Sequence, residues 1–233
     1  MDSSIIKNNL SSFNEKSDLK HGLPSWAYTS EEFFNAECKT LFSSSWVFAG
    51  FVHEFKEPGD AIPITVAGQP ILLIKNMNGK VNAFHNACSH RCLKLVDEAC
   101  NVGAMLICPY HSWTYNLDGN LCATPFFGGR DHQPDGFDMN NHGLQSVRTA
   151  IWNDWIFINL SDDGQDFEDY AKPLINNFKD IDFQKVTPVA TLDFGEIATN
   201  WKFLMENFIE PYHVQFVHRT TTNQPLEDHY TIV

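Results

Sequence analysis

Long apolar runs and basic charge are both scarce in this 233-residue chain. No stretch reaches the length needed to span a bilayer, and the polar residues 1–20 lack the continuous apolar segment of a secretory signal. We therefore expect a cytoplasmic protein with no membrane partner. Lysine and arginine number 16 against 29 aspartate and glutamate residues, which gives a formal net charge of −13. Because a phosphate backbone repels such a surface, the composition argues against nucleic-acid binding.

Internal repeats and low-complexity segments are also missing, and hydrophobic residues make up an ordinary 43% of the chain. The length suits one or two domains with a sizeable core. Six cysteines stand at positions 38, 88, 92, 100, 108 and 122. In a reducing compartment, cysteines with histidines close by indicate a metal centre before they indicate disulfides.

The texture of the sequence divides the chain into three segments, 1–45, 46–160 and 161–233. The first has a polar start and a helical pattern around Ser30–Phe42, with Ser30 at a plausible helix start. The third opens with a polar linker at Ser161–Asp169. In it, Val186–Ala198 resembles a strand pair, and Asn200 is placed to cap a helix that begins at Trp201.

The middle segment has the pattern of β structure. Turns rich in Asn, Asp and Gly separate short apolar runs, which is typical of hairpins. The predicted pairs are Ile71–Lys75 with Lys80–His85, Trp113–Tyr115 with Asn120–Ala123, and Ile151–Trp152 with Trp155–Leu160. Several short strands joined in this way predict a small antiparallel sandwich or barrel.

Two short loops of this segment each combine cysteine with histidine. The sequence reads CSH at 88–90 and CPYH at 108–111, with 17 residues between His90 and Cys108. A Rieske [2Fe-2S] cluster needs two thiolates on one iron and two imidazoles on the other, which two such loops can supply from opposite sides. The alternative is a tetrahedral zinc site. Zinc sites usually pair Cys with Cys in one loop, whereas each loop here mixes the two ligand types, so the pattern favours the cluster.

A second group of metal-ligand residues lies in the third segment, where residues 200–218 read NWKFLMENFIEPYHVQFVH. Glu210 and His213 share one face of an ideal helix. His213 and His218 are five residues apart, so both reach one metal only if the helix is distorted. Pro211 supplies the distortion, because it has no N–H to donate. The segment therefore predicts a metal site, against the alternative of structural histidines on a core helix.

The stretch CSHRC…CPYHSWTYNLDG resembles the Rieske motif of oxygenase large subunits, C-x-H-R-G…C-P-Y-H-G-W-x-Y-x-x-x-G. Cys92 and Ser112 occupy positions where the family usually has glycine. Neither is a ligand position, and we interpret both as small residues tolerated in loops. The alternative for Ser112 is a hydrogen bond that tunes the cluster potential. Cys92 and Cys100 are interpreted as structural thiols.

The resemblance to the large (alpha) subunit of Rieske non-haem iron oxygenases, the ring-hydroxylating dioxygenase family, implies an α+β protein. An all-β Rieske domain would be followed by the first part of an antiparallel-sheet, helix-grip catalytic domain. Residue by residue, the [2Fe-2S] ligands would be Cys88, His90, Cys108 and His111, and mononuclear Fe(II) would be bound by His213 and His218. Glu210 would bridge His213 and a Rieske histidine of a neighbouring subunit, and Asn207 would lie near the iron without binding it.

The resemblance also implies an activity. Electrons from NAD(P)H would arrive through a reductase or ferredoxin, and O2 would hydroxylate or dihydroxylate an organic substrate, with aromatic compounds as the leading class. The alternatives are demethylation of a methylated or quaternary amine, a short electron-transfer protein, and a zinc-binding module. A homotrimer is expected.

The family takes its third iron ligand from an Asp far downstream, expected beyond Val233, with Glu227 and Asp228 as weak candidates. The chain is therefore expected to be a truncated N-terminal half to two-thirds of such a subunit.

Overall fold

The computed structural model describes residues 22–130, 132–218 and 220–221. Among these, residues 37–189 form one compact unit, and residues 22–36 form a second unit with those from 190 onward. The helices are α1 (Trp26–Thr29), α2 (Glu31–Glu37), α3 (Phe167–Tyr170), α4 (Lys172–Asn177), α5 (Trp201–Ile209) and α6 (Val214–Val217), with a π-helical turn at Cys38–Phe42. None of the described helices has the length and apolar character to cross a membrane. The segment boundaries at 46 and 161 stay predictions.

The unit of residues 37–189 is built on antiparallel strands. They are β1 (Val47–Phe51), β2 (Asp60–Val66), β3 (Gln69–Lys75), β4 (Val81–His85), β5 (Cys100–Asn101), β6 (Met105–Ile107), β7 (Thr114–Asn116), β8 (Leu121–Ala123), β9 (Ser146–Trp152) and β10 (Trp155–Asn159). One sheet has the order β1-β10-β9-β4-β3-β2-β5, and a smaller one has the order β6-β7-β8. The predicted α+β class with an antiparallel all-β part is confirmed.

Strand β3 is buried on both faces, which explains its nearly unbroken apolar sequence. Leu72 and Ile74 join the core cluster that also contains residues of the smaller sheet. Ile71 and Leu73 point the opposite way, into a cluster with strands β9 and β10, because side chains alternate along a strand. Each such side chain contributes about 1.5–3 kcal/mol through burial. This strand therefore fixes the scaffold on which the cysteine–histidine loops stand.

The three predicted hairpins are confirmed. β3 pairs with β4, β7 with β8, and β9 with β10, around the turns that the sequence marks. At the Asp118-Gly119 turn, both the backbone conformation and the lack of space for a Cβ atom require glycine. Its φ is +84°, and a Cβ atom there would lie 2.4 Å from Phe84 Cε1. The turn thus holds the smaller sheet tightly against β4.

The predicted strand pair at Val186–Ala198 is wrong. The structure assigns no strand to these residues, and Val189 and Phe194 are 98% and 82% exposed. Their composition favours β structure, but a strand forms only against a neighbour that takes up its N–H and C=O groups. Within the described residues, no strand pairing is assigned to this segment.

Both predicted helix starts are confirmed. The side chain of Ser30 accepts a hydrogen bond from Phe33 N at 3.2 Å. That of Asn200 accepts one from Lys202 N at 3.1 Å, which satisfies one of the free N–H groups of the first turn. The caps therefore set where α2 and α5 begin.

Candidate metal centres

The two cysteine–histidine loops leave different sheets but share one backbone pattern. Cys88 follows β4 of the larger sheet, and Cys108 directly follows β6 of the smaller one. In the first loop, Cys88 N donates to Leu93 O and Cys92 N donates to Cys88 O, both at 2.8 Å. In the second loop, the equivalent bonds run from Cys108 N to Trp113 O at 2.8 Å and from Ser112 N to Cys108 O at 3.0 Å. Each loop is thus a tight turn with its cysteine at the base.

This turn explains why the resembling family has glycine at two positions. Cys92 and Ser112 both adopt left-handed conformations, with φ of +55° and +57°. Such values suit glycine and are unfavourable for residues with a Cβ atom. Ser112 contributes backbone atoms to the loop, since its carbonyl accepts from Thr114 Oγ1 at 3.0 Å. Its role in tuning a cluster stays a prediction.

The two thiols of the loops are buried together. Cys88 and Cys108 are each 2% exposed. Burial raises the pKa of the Cys108 thiol, and the neighbouring Cys88 thiol raises it further, while backbone N–H groups of Tyr110 and His111 act in the opposite direction. Because metals bind the thiolate, an ion has to displace these protons.

The two imidazoles of the loops also lie together. The ring centroids of His90 and His111 are 4.8 Å apart. Burial lowers the pKa of His90, with the neighbouring His111 and Arg91 adding to the effect, so the ring is held in the neutral form that binds metals. Trp113 stacks on His90 at 4.7 Å with an interplanar angle of 8°. This contact fixes the orientation of the ring.

One nitrogen atom of the two imidazoles indicates a bound metal. His111 Nδ1 is buried, and no hydrogen-bond partner for it occurs among the described residues. A buried polar atom left in this way calls for an ion or another ligand. The thiols pair with each other and the rings with each other, which is the arrangement that a two-iron cluster of the Rieske type requires. The donor set therefore fits this cluster.

In the described ranges, no three His, Cys, Asp or Glu side chains are grouped so as to hold a single metal ion.

Sequence reasoning missed Tyr115, the residue whose hydroxyl contacts the Cys88 thiol. Tyr115 is fully buried, and its hydroxyl lies 3.1 Å from Cys88 Sγ and 2.9 Å from Ser89 Oγ. Burial is the main reason why the pKa of Tyr115 is raised, so the hydroxyl stays protonated. The available signal was a tyrosine at an inward position of the short strand that follows the second loop.

The second candidate centre lies where α5 ends. Glu210 is the C-cap residue of this helix. Its backbone is extended, with φ of −101° and ψ of 110°, as expected for a residue that precedes a proline. The chain resumes as α6, and the predicted distortion is confirmed as a complete break between Ile209 and Val214. Because of this break, the rings of His213 and His218 come within 5.4 Å of each other.

Glu210 holds His213 by two contacts. One carboxylate oxygen accepts from His213 N at 2.9 Å, and the other is 2.9 Å from His213 Nδ1. The hydrogen bond to the His213 side chain is the main reason why the pKa of Glu210 is lowered. With Nδ1 engaged, Nε2 is the ring nitrogen left available to bind a metal.

Three further residues are predicted for this centre, Asn207, Glu227 and Asp228. Asn207 lies exposed on the last turn of α5, so its role near the iron stays a prediction. Glu227 and Asp228, the weak candidates for a third ligand, lie outside the described residues.

Two family models match the segments that contain the candidate centres. The family model of the Rieske [2Fe-2S] domain matches residues 45–133. The model of the ring-hydroxylating alpha subunit, catalytic domain, matches residues 179–231. The fold and the paired loops are therefore those of a Rieske domain, which carries a [2Fe-2S] cluster, and it is joined to a segment of a catalytic domain that carries mononuclear iron.

Two curated relatives illustrate the range of similar proteins. The glycine betaine monooxygenase oxygenase subunit of Chromohalobacter salexigens is 32% identical over 207 residues, which cover 89% of this chain and 45% of the relative. The large oxygenase component of salicylate 5-hydroxylase from a Ralstonia species is 28% identical, over 84% of this chain and 48% of the relative. The chain thus spans about half the length of these relatives.

A solved structure is similar over the same part of the chain. It is a quaternary ammonium Rieske monooxygenase, studied for carnitine oxidation by gut microbiota and for inter-subunit electron transfer. The TM-score is 0.70 at 28% identity, over 84% of this chain and 53% of that one. This chain therefore carries, in order, a Rieske domain and part of the catalytic domain of a ring-hydroxylating alpha subunit, and the relatives named above are oxygenase subunits.

Proposed function

We propose that this chain is the electron-entry part of a terminal oxygenase, which uses O2 and electrons from a reductase or ferredoxin to hydroxylate or dihydroxylate an organic substrate. One observation carries the proposal. The same chain holds paired buried thiols and paired, half-buried imidazoles in its Rieske domain. In the catalytic segment it holds a Glu210-bound His213 next to His218. A pure electron carrier has no use for the second group.

The proposed ligand sets follow from the pairing. Cys88 and Cys108 hold one iron of the cluster and His90 and His111 hold the other, while His213 and His218 hold Fe(II). When bound, the cluster supplies single electrons and the mononuclear iron supplies O2 activation beside the substrate. Free thiols at both cysteines suit assembly in a reducing cytoplasm.

The role proposed for Glu210 is to orient His213 and to connect the two centres. Its carboxylate is kept ionised by the contact with His213, and it is 49% exposed. It can therefore accept a further hydrogen bond from outside. We assign that bond to a Rieske histidine of a neighbouring subunit in a homotrimer. The relative studied for inter-subunit electron transfer supports this assignment.

An aromatic substrate is the leading class, supported by the salicylate-hydroxylating relative. A methylated or quaternary amine is the second candidate, and a specific residue favours it. Glu210 stands where many members of the family carry Asp, and Glu occurs in some that attack methylated amines. The glycine betaine relative and the quaternary ammonium monooxygenase point the same way.

The cluster is tested by spectroscopy on the whole subunit. We expect a red-brown protein that is paramagnetic when reduced, and we expect Cys88→Ala to lose this signal because one thiolate of the pair is gone. Cys122→Ala is the matched control, since Cys122 is exposed and outside the loops. A colourless protein that retains zinc in its Cys88→Ala variant would remove the cluster from the proposal.

The substrate class is tested with the reductase, NAD(P)H and a panel of aromatic and methylated-amine compounds. Hydroxylation of an N-methyl group releases formaldehyde, whereas ring hydroxylation yields a phenol or a cis-diol. Substrate-dependent O2 uptake with one of these products identifies the class. Failure of every compound to stimulate O2 uptake in a protein with both metal centres loaded contradicts the oxygenase function.

A further inference from the structure

Tyr28 joins the N-terminal helices to the helix that precedes the iron motif. Its ring stacks on Phe203 with centroids 4.4 Å apart, and its hydroxyl donates to Glu206 Oε1 at 2.6 Å. Its carbonyl accepts from Asn200 Nδ2 at 3.0 Å. The ammonium of Lys202 lies 5.8 Å from the Tyr28 ring centre. A single residue therefore contacts α5 from its N-cap to its second turn.

These contacts continue, residue by residue, to the candidate iron ligand. Glu206, which accepts from Tyr28, also accepts through its carbonyl from Glu210 N at 3.2 Å. Glu210 in turn holds His213 through both carboxylate oxygens. The series Tyr28–Glu206–Glu210–His213 lies wholly within the unit formed by residues 22–36 and those from 190 onward.

The Tyr28 hydroxyl is suited to a permanent contact. The hydrogen bond to Glu206 is the main reason why the pKa of Tyr28 is raised, so the phenol stays a donor throughout the neutral range. The second turn of α5 otherwise presents exposed apolar side chains, with Met205 and Phe208 54% and 84% exposed. A charge-assisted hydrogen bond at this turn fixes both the rotation and the axial position of the helix.

We propose that Tyr28 is a positioning residue for the mononuclear iron site, which sets the place of Glu210 and His213 through its contacts with Glu206 and Phe203. The inference rests on the proposed function, because the ligand being positioned is that of the iron. Residue 28 lies outside both matched regions, 45–133 and 179–231. The N-terminal helices thus become part of the iron site, although they supply no ligand.

The test separates the hydroxyl from the ring in the whole subunit with its cluster loaded. Tyr28→Phe keeps the ring but removes the hydroxyl, with its bond to Glu206 and its backbone contact with Leu23. Glu206→Ala removes the bond to Glu206 and leaves the Leu23 contact in place. Glu206→Gln keeps an oxygen acceptor for the phenol and is the conservative rescue. Tyr170→Phe is the matched control, because Tyr170 is 47% exposed and lies in the other unit.

Two readouts follow the iron site without depending on turnover. The first is the equilibrium affinity for added Fe(II), which we expect to weaken about 2- to 10-fold in Tyr28→Phe and Glu206→Ala. Glu206→Gln should stay within about 2-fold of the wild type. The second is hydrogen exchange of the Glu210 and His213 amides in iron-free protein, which should become faster in the same two variants.

The outcomes are distinct. Weaker Fe(II) binding and faster exchange, with the cluster spectrum and melting temperature unchanged, support the proposal. Unchanged affinity and exchange in Tyr28→Phe overturn it, and so does a loss that falls equally on the cluster and on overall stability. If the wild type binds no Fe(II) at His213 and His218, the proposed function fails. Faster exchange at Glu210 would then show that the failure lies in the function and not in the contact.

Discussion

Replacing Cys92 and Ser112 by glycine should stabilise the Rieske unit. Both residues have φ near +55°, a conformation that costs a residue with a Cβ atom about 1–2 kcal/mol. Glycine removes this cost but loses about 0.5–1 kcal/mol through the greater freedom of the unfolded chain. Both side chains are exposed, so little burial is lost. The net gain is about 0.5–1 kcal/mol at each position.

The assay is thermal unfolding of the cluster-loaded protein, followed by circular dichroism and by the visible absorbance of the cluster. A gain of about 1–2 kcal/mol in the double variant corresponds to a rise of about 2 to 8 °C for a protein of this size. Asn153→Gly is the matched control. Asn153 is exposed and has a φ of 57°, but asparagine tolerates this conformation, so the change should have little effect.

The reasoning is refuted if Cys92→Gly and Ser112→Gly both melt at or below the wild type while Asn153→Gly behaves as expected. That result would mean that the side chains themselves stabilise the loops. A fall in the cluster's midpoint potential in Ser112→Gly alone would then favour the alternative in which the Ser112 hydroxyl donates a hydrogen bond near the cluster.

Two further predictions concern single carboxylates. In the whole enzyme at saturating Fe(II), Glu210→Ala should keep both metal centres yet lower turnover by about 100-fold, since His213 loses its orienting partner. Metal analysis and product formation measure this, and unchanged turnover rules out the bridging role. Asp60 accepts from the N–H groups of Glu57 and Lys56 and from Asn101, and the bond from Glu57 is the main reason why its pKa is lowered. Its contribution is therefore present above its unfolded pKa of about 3.9 and is lost as the pH falls through the lower folded pKa. Asp60→Asn should be less stable at pH 7 by under about 1 kcal/mol, and denaturant midpoints that show an equal loss at pH 7 and pH 3 would contradict this.

The features that could be predicted from the sequence are those set by neighbouring residues. The Asp118-Gly119 turn, the cap at Asn200 and the break at Pro211 each depend on a few consecutive positions. The two loops were recognisable because the ligand types and their short spacing occur together. Each of these features is determined by a few consecutive residues, so the sequence alone is enough to predict it.

The features that were missed depend on distant partners. Val186–Ala198 has the composition of strands, but none of the described strands pairs with it. β1 pairs with β10, more than a hundred residues away, and no local pattern encodes that register. Tyr115 and Tyr28 owe their roles to Cys88 and Glu206, which lie close only in the folded chain.

The two loop cysteines follow strands of different sheets, Cys88 after β4 of the larger sheet and Cys108 after β6 of the smaller one. A cluster bound between them would tie the sheets together, so occupancy by iron and cohesion of the domain become thermodynamically linked. In an iron-starved cell, newly made chains would lack this tie, and the smaller sheet would open more often. Proteases would then reach the unfilled chains first, and the supply of iron would set how much of the protein survives.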